Sequence, residues 1–392
     1  MLILLLILSF GLRLFTLANP AAYIFDEVYH VPAIKAIAVG NPDPFNPFAQ
    51  APEPNTAYDW LHPPVAKLIQ AISVNVFGAN SFGWRFPSAL FGTLSIAALY
   101  YFTLTVFKKP QLALAAAALF SLDNLQFTMS RIAMNDIFVT TWIILALAFF
   151  FKRQWRLIAV FTGLALATKH SALFLYPIYL IYLVPEFFKK PSFKVFLKYL
   201  LTFILIPLLI YFLSYSPMFL QGKTWTDFVN LHKQIYYYQT HLTATHGYQS
   251  AAWQWPLLIR PVWFHVAYLG DKIANIYNLG NPAIFWGGLI AVMYVLIQGL
   301  SFATAKVRPY WFILISYFSL FLPWLLSPRI LFLHHYLPAL PFLCVLLASV
   351  LPKFKPYWLV VVACFFFFYP INTAIPLPTT WLKYWFWLPT WK

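Results

Sequence analysis

The sequence predicts an all-α fold: a polytopic membrane protein of about 11 transmembrane helices with two long loops on its outer face. Three observations predict it. Hydrophobic residues fill 62% of the 392 positions and charged residues only 9%, far outside the range of a soluble globular chain. Apolar runs approaching membrane-crossing length recur along the chain. The charges between those runs are sorted by side.

The apolar runs lie near residues 1–18, 84–106, 111–122, 137–151, 156–168, 171–187, 196–215, 283–303, 309–326, 332–350 and 356–373. Several fall short of the roughly 20 residues that a crossing helix needs, and must borrow neighbours such as Asn124 to Ala133. The first run is read as a retained helix and not a signal peptide, because Arg13 interrupts it and no basic residue precedes it. Cys344 and Cys364 fall within predicted spans and read as small apolar residues.

With the amino terminus on the inner side, short inner loops collect Lys108, Lys109, Lys152, Arg153, Arg156, Lys189, Lys190, Lys194, Lys198, Lys306, Arg308, Lys353 and Lys355. That concentration is the pattern by which membrane proteins orient, so the net charge of +16 implies topology and no nucleic-acid partner. The ten acids sort more sharply. Only Glu186 falls inside, whereas Asp26, Glu27, Asp43, Glu53, Asp59, Asp123, Asp136, Asp227 and Asp271 fall outside or at that surface. All nine histidines do the same. Insertion does not require acids to be sorted, so the asymmetry predicts chemistry on the outer, periplasmic or extracytoplasmic, face.

The chain reads as a single membrane-embedded domain, 1–392, with a first outer loop at 19–83, a second at 216–282 and C-terminal transmembrane helices over 283–392. The first loop has a Pro/Asn-rich middle between short interfacial helices at 31–39 and 64–77. Both loops exceed ordinary connection lengths, which favours a functional role.

The polar residues at membrane depth cluster in short stretches. "FDEVYH" carries Asp26, Glu27 and His30; "YDWLHPPVAK" carries Asp59, His62 and Lys67 around a Pro63–Pro64 corner; "SRIAMND" carries Arg131 and Asp136. "TKH" adds Lys169 and His170, and "SPRILFLHHY" adds Arg329, His334 and His335. Singly, each is as well read as an interface anchor or an internal salt bridge. Together they suit a cavity for an anionic lipid donor, with one carboxylate to take a proton and cations to hold a phosphate.

The blocks "FDEVYHVPAIKAI", "YDWLHPPVAKLI", "SRIAMNDIFVTTW", "TKHSALFLYP", "HLTATHGYQSAAWQWPLLIRPVWF", "NLGNPAIFWGG" and "HHYLPALPF" occur in the order found in protein O-mannosyltransferases. The sequence resembles a bacterial member of that family, within the C class of polyprenyl-phosphate-sugar-dependent glycosyltransferases. The resemblance runs from about residue 23 to 342. It implies an inverting transfer of a sugar, usually mannose, from a polyprenyl-phosphate donor to Ser or Thr hydroxyls of an acceptor protein or peptide on the outer face. The family pattern alone does not assign roles to the two acids; the chemistry of a single displacement makes Asp26 the expected base and Glu27 the residue orienting acceptor or base. Arg131 is the first candidate for the lipid phosphate, with Lys169, His170 and Arg329 beside it. His30, Asp59, His62, Lys67, His334 and His335 are expected to line the site, in the company of membrane lipid.

Departures bear on specificity. The eukaryotic relatives carry a β-trefoil domain in the second loop, for which 216–282 has no room, and Gly247 stands where proline is usual. Some C-class relatives glycosylate lipid or polysaccharide instead of protein. A divalent cation on Asp26, Glu27, Asp59 and His30 is chemically admissible. The spacing specifies no metal geometry, however, and Arg and Lys can neutralise phosphate alone, so no metal is assigned. Two other classes fit less well. A transporter would spread its ionisable residues about the midplane, and a non-catalytic partner subunit would lack the acid or the cations.

Overall fold

The computed structural model describes residues 1–301, 308–351 and 355–392; Lys306 and Lys353, counted above in the inner loops, lie outside them. The chain enters through α1 (Leu2–Leu14) and turns into the first outer segment, which contributes α2 (Glu27–Ala38) and α3 (Val65–Phe77). The first half of the bundle follows: α4 (Ser81–Phe107), α5 (Pro110–Ser121), the short α6 (Asn124–Met129), α7 (Asp136–Phe151) and α8 (Trp155–Leu166). Next come α9 (Tyr176–Lys189), α10 (Phe193–Leu200) and α11 (Ile206–Ser214).

The second outer segment holds α12 (Ser216–Leu220), α13 (Trp225–His241) and a hairpin of β1 (Val262–Leu269) and β2 (Lys272–Asn278). The chain finishes with α14 (Pro282–Ser301), α15 (Arg308–Phe321), α16 (Leu340–Val350), α17 (Lys355–Asn372) and β3 (Leu377–Pro378).

Local sequence explains the breaks. Asn80 caps α4 by accepting from Gly83 N at 3.0 Å, Lys108 ends it in a left-handed conformation, and Pro110 opens α5 where its missing N–H costs nothing. Thr224 and Asp227 form a capping box at the start of α13.

Each of the eleven apolar runs has a helix within it. Among the described residues, only Ser81–Phe107, His170–Lys189, Phe193–Ser214 and Arg308–Leu326 are long and apolar enough to cross a membrane by themselves, so a count of eleven crossings is not established. The run expected over 332–350 becomes α-helical only at Leu340: Leu333–Tyr336 is a 3-10 helix, Pro338 interrupts the chain after it, and Pro341 sits in the first turn of α16, where proline is tolerated.

The fold is mostly helical, as expected, but not purely so: β1, β2 and β3 make a small antiparallel sheet in that order. Leu269 pairs directly with Lys272 across Gly270–Asp271, a two-residue turn whose Gly270 has φ +65°. Nor is 283–392 helical throughout. After α17 the chain pairs Leu377 with Ile273 and tucks its end against the second outer segment, where Trp391 Nε1 donates to Leu258 O and Tyr277 Oη to Trp391 O at 2.6 Å.

Lipid tails are as apolar as leucine, so close packing and internal hydrogen bonds hold such a bundle. α4 packs on α3, α5 and α7; α7 packs on α8; α16 packs between α5 and α14. Buried amides tie distant helices: Asn124 Nδ2 donates to Asn372 Oδ1 at 2.7 Å, and Asn281 Nδ2 donates to Leu122 O and Val361 O. This scaffold fixes the ends of α2, α3, α7 and α8, where the acids and cations converge.

Candidate active site

Asp26 and Glu27 are neighbours in sequence and opposites in environment. Phe25 before them has φ +48°, a strained conformation for a bulky residue; its N–H donates to Phe264 O at 3.2 Å and its ring stacks on Phe264 at 4.4 Å. The turn sends Glu27 into the protein. There it is fully buried and accepts from Ile24 N (2.9 Å), Ala133 N (2.9 Å), Arg85 Nε (2.8 Å) and Arg85 Nη2 (2.6 Å). Such a carboxylate has no free lone pair positioned for an acceptor.

Asp26 begins α2, and its backbone carbonyl accepts from Tyr29 N and His30 N. Its carboxylate makes no hydrogen bond or ion pair among the described residues. Burial pushes the Asp26 carboxyl up to about 6; the charges of His30 and Lys169 oppose that rise, and those of Asp136 and Asp59 add to it.

Asp59 is the opposite case. His62 Nδ1 lies 2.8 Å from its Oδ1, and its Oδ2 is 2.9 Å from Lys67 Nζ and 3.1 Å from His30 Nδ1. Burial alone would raise the Asp59 carboxyl, but His62, Lys67 and His30 hold it well below the usual carboxylate range. The Pro63–Pro64 corner builds this cluster: it ends the loop, starts α3, and lets Lys67 reach back from the first turn to Asp59 O at 2.6 Å and His62 O at 2.9 Å. Val65 N donates to Ala167 O, which ties the corner to the end of α8 and so to Lys169.

Lys169 donates to Asp136 Oδ1 at 2.7 Å, leaving two ammonium hydrogens unassigned. The charges of Lys169, His30 and His62 all bear on His334, whose buried Nδ1 has no partner among the described residues. His334 stacks on His335 at 4.6 Å and meets Phe25 edge-on at 5.9 Å, closing the cluster above the strained turn.

The structure thus brings Asp26, His30, Asp59, His62, Lys67, Lys169, His334 and His335 into one cluster. Three expected members, Glu27, Arg131 and Arg329, stand apart from it. Glu27 is enclosed as described. Arg131 directs its fork to the end of α1, where Nη1 donates to Arg13 O (2.6 Å) and Phe15 O (2.7 Å) and Nη2 to Thr16 O (3.1 Å). Those carbonyls are the unsatisfied end of a helix, a site that attracts cations.

His170 lies at the edge of the cluster, with Nε2 3.1 Å from the Tyr211 hydroxyl. Arg329 is half-buried and makes no hydrogen bond among the described residues. It lines a cavity of about 540 Å³ with Thr243, Gln249, Ser250 and Trp253. Sequence reasoning missed Arg85 as Glu27's partner and Asp136 as Lys169's. A charge in the first turn of a crossing helix was the available signal for Arg85.

His30, Asp59 and His62 offer ligand atoms within 4.8 Å of one another, a spacing that suits a metal ion. Lys67 already supplies a full counter-charge at 2.9 Å from Asp59, so the donor set fits an ion network better than a cation site.

Residues 61–215 match the family described as dolichyl-phosphate-mannose-protein mannosyltransferase, and residues 224–391 match the C-terminal four-transmembrane region of protein O-mannosyltransferase. The chain is 24% identical to the polyprenol-phosphate-mannose–protein mannosyltransferase of Corynebacterium glutamicum, over 83% of this chain and 76% of that protein. It is 23% identical to the Mycobacterium tuberculosis enzyme of the same name, over 97% and 89%.

Its fold matches a chain of the protein O-mannosyltransferase complex of Saccharomyces cerevisiae bound to the sugar donor, with TM-score 0.82, 15% identity, and 100% and 92% of the two chains covered. It also matches ArnT from Cupriavidus metallidurans bound to undecaprenyl phosphate, with TM-score 0.61, 14% identity, and 92% and 61% covered. The architecture is that of the C-class, membrane-embedded glycosyltransferases. Within that class, the chain belongs to the protein O-mannosyltransferase family.

Proposed function

We propose that this protein transfers a sugar, mannose by family membership, from a polyprenyl-phosphate donor to Ser or Thr hydroxyls of a polypeptide. The reaction takes place on the periplasmic or extracytoplasmic side, with the donor's tail in the surrounding lipid. Asp26 carries the reading: it is a carboxylate with no hydrogen bond or ion pair among the described residues, held near 6 by burial, and therefore ionised yet basic at neutral pH.

In this reading Asp26 takes the acceptor hydroxyl's proton as the oxygen attacks the anomeric carbon. The new C–O bond forms on the face opposite the phosphate while the bond from the anomeric carbon to the phosphate oxygen breaks. One displacement inverts the configuration, and the lipid phosphate leaves with the bonding electrons. Negative charge grows on that phosphate, so the cations that can still donate matter most. Arg329 makes no hydrogen bond among the described residues and Lys169 has two hydrogens unassigned there, whereas Arg131 is engaged by α1. His334, whose Nδ1 has no partner among the described residues, would donate to the sugar or the phosphate.

Radiolabelled polyprenyl-phosphate-mannose incubated with the purified protein and an acceptor polypeptide tests the proposal. Label released by β-elimination from Ser or Thr is expected. Label found only in lipid or glycan would overturn the choice of acceptor, and an unconsumed donor would overturn the enzymatic reading.

A further inference from the structure

We infer that the groove between α9 and the α10–α11 run binds a phospholipid with an anionic head group, taken from the leaflet opposite the candidate site. α9 follows the 3-10 segment His170–Leu175 and runs away from Lys169 and His170, so the groove's far end lies at Lys189 and Lys190. The cavity measures about 350 Å³, and its walls include Tyr179, Leu183, Phe187, Phe196, Tyr199 and Phe203. Leu201–Leu205 forms a π-helical turn, which widens that wall.

α10 is the second observation. None of its eight residues is buried, although Phe193, Phe196 and Leu197 make up an apolar face. A helix that the chain itself does not cover needs hydrocarbon against it, and Phe196, with Tyr199 and Leu200 of the same helix, lines the groove.

The third observation is charge. Lys194 and Lys198 stand one turn apart on α10, with Lys189 and Lys190 beside them at the end of α9. Lys198 lies over the Trp155 ring at 4.2 Å. The single acid nearby, Glu186, is held by Arg153 through both oxygens, at 2.7 Å and 2.8 Å. Lys198 still feels the charge of Glu186, whereas Lys189, Lys190 and Lys194 have no carboxylate partner among the described residues, near an apolar slot whose wall contains the Tyr199 hydroxyl, itself without a partner among those residues. An acyl chain fits the slot, and a phosphate at its mouth answers the lysines. The donor's polyprenyl tail would fill the slot but brings no anion to this end, because its phosphate belongs at the other.

Native mass spectrometry of the full chain, titrated with phosphatidylglycerol and with phosphatidylcholine, tests the inference. Wild type is expected to retain phosphatidylglycerol preferentially. Lys190→Gln, Lys194→Gln and Lys198→Gln should each weaken that binding about fivefold and leave phosphatidylcholine unchanged. Leu183→Trp, which fills the slot, should abolish the preference. Should any variant fail to fold, the exposed pair Lys190→Gln and Lys194→Gln carries the test. Equal retention of the two lipids by wild type, or unchanged binding by the exposed pair, would overturn the inference. So would displacement of phosphatidylglycerol by polyprenyl phosphate, which would give the groove to the donor's tail.

Discussion

Arg85 holds Glu27 through two nitrogens, Nε to Oε1 at 2.8 Å and Nη2 to Oε2 at 2.6 Å, with both side chains fully buried. Arg85 also donates to Pro20 O (2.7 Å) and Ala22 O (2.8 Å), so one fork fixes the loop that presents Asp26. The pair is structural in what it touches and catalytic only in what it positions. Removing one partner strands a buried charge, which typically costs about 3–5 kcal/mol. Arg85→Ala is therefore expected to lower the thermal unfolding midpoint and the yield of monodisperse protein in detergent. An unchanged midpoint would contradict this role.

The pH dependence follows from Asp26. A base must be ionised to accept a proton, so kcat/KM for transfer should rise with pH through about 6 and level off above it. The sign is fixed by burial, which raises the carboxyl and so moves the acid limb up from the ordinary Asp range near 4. A limb centred near 4 in wild type would show that another carboxylate is the base.

Arg329 and Arg131 should separate in kind. Arg329→Ala removes an unengaged cation and is expected to weaken polyprenyl-phosphate binding by about tenfold or more, with little change in unfolding temperature. Arg131→Ala strips the end of α1 of its hydrogen bonds, and should lower the unfolding temperature before it affects donor binding. The reverse pattern would restore Arg131 as the phosphate ligand.

Asp59 already has Lys67, His62 and His30 around it, so transfer is expected to persist in excess chelator. Activity lost to the chelator and restored by magnesium or manganese would place a metal among those residues.

Sidedness is accessible to chemistry. Cysteine placed at Gln249, exposed beside the cavity of Arg329, should react with a membrane-impermeant reagent in intact cells. Cysteine at Lys190, exposed at the far end of α9, should be protected. Protection of Gln249→Cys with labelling of Lys190→Cys would invert the topology.

Much of this was legible in the sequence, for reasons that also explain the rest. Apolar runs locate helices because hydrocarbon demands them, so α4, α7 and α11 lie where composition puts them. Hydropathy does not report whether a helix of 10–17 residues crosses a bilayer. The hairpin was overlooked because aromatic-rich 262–278 reads as membrane-interface sequence, although the Gly270–Asp271 pair between apolar runs was a turn signal.

The acids and cations were found because charge is costly in a membrane, but cost does not reveal partners. Glu27's partner lies 58 positions away, and Arg131's carbonyls more than 110. Only the fold divides the two adjacent carboxylates into one held by Arg85 and one without a hydrogen-bond partner among the described residues, the proposed base.

That division is tested most directly by single-turnover transfer with Asp26→Asn set beside wild type. The substitution keeps the side chain's shape, and among the described residues the native carboxylate makes no hydrogen bond to lose. Asp26→Asn is expected to purify as wild type does and to bind polyprenyl phosphate normally, while transferring sugar about 10² times more slowly or worse. Near-normal transfer by Asp26→Asn would show that the free carboxylate is not the base.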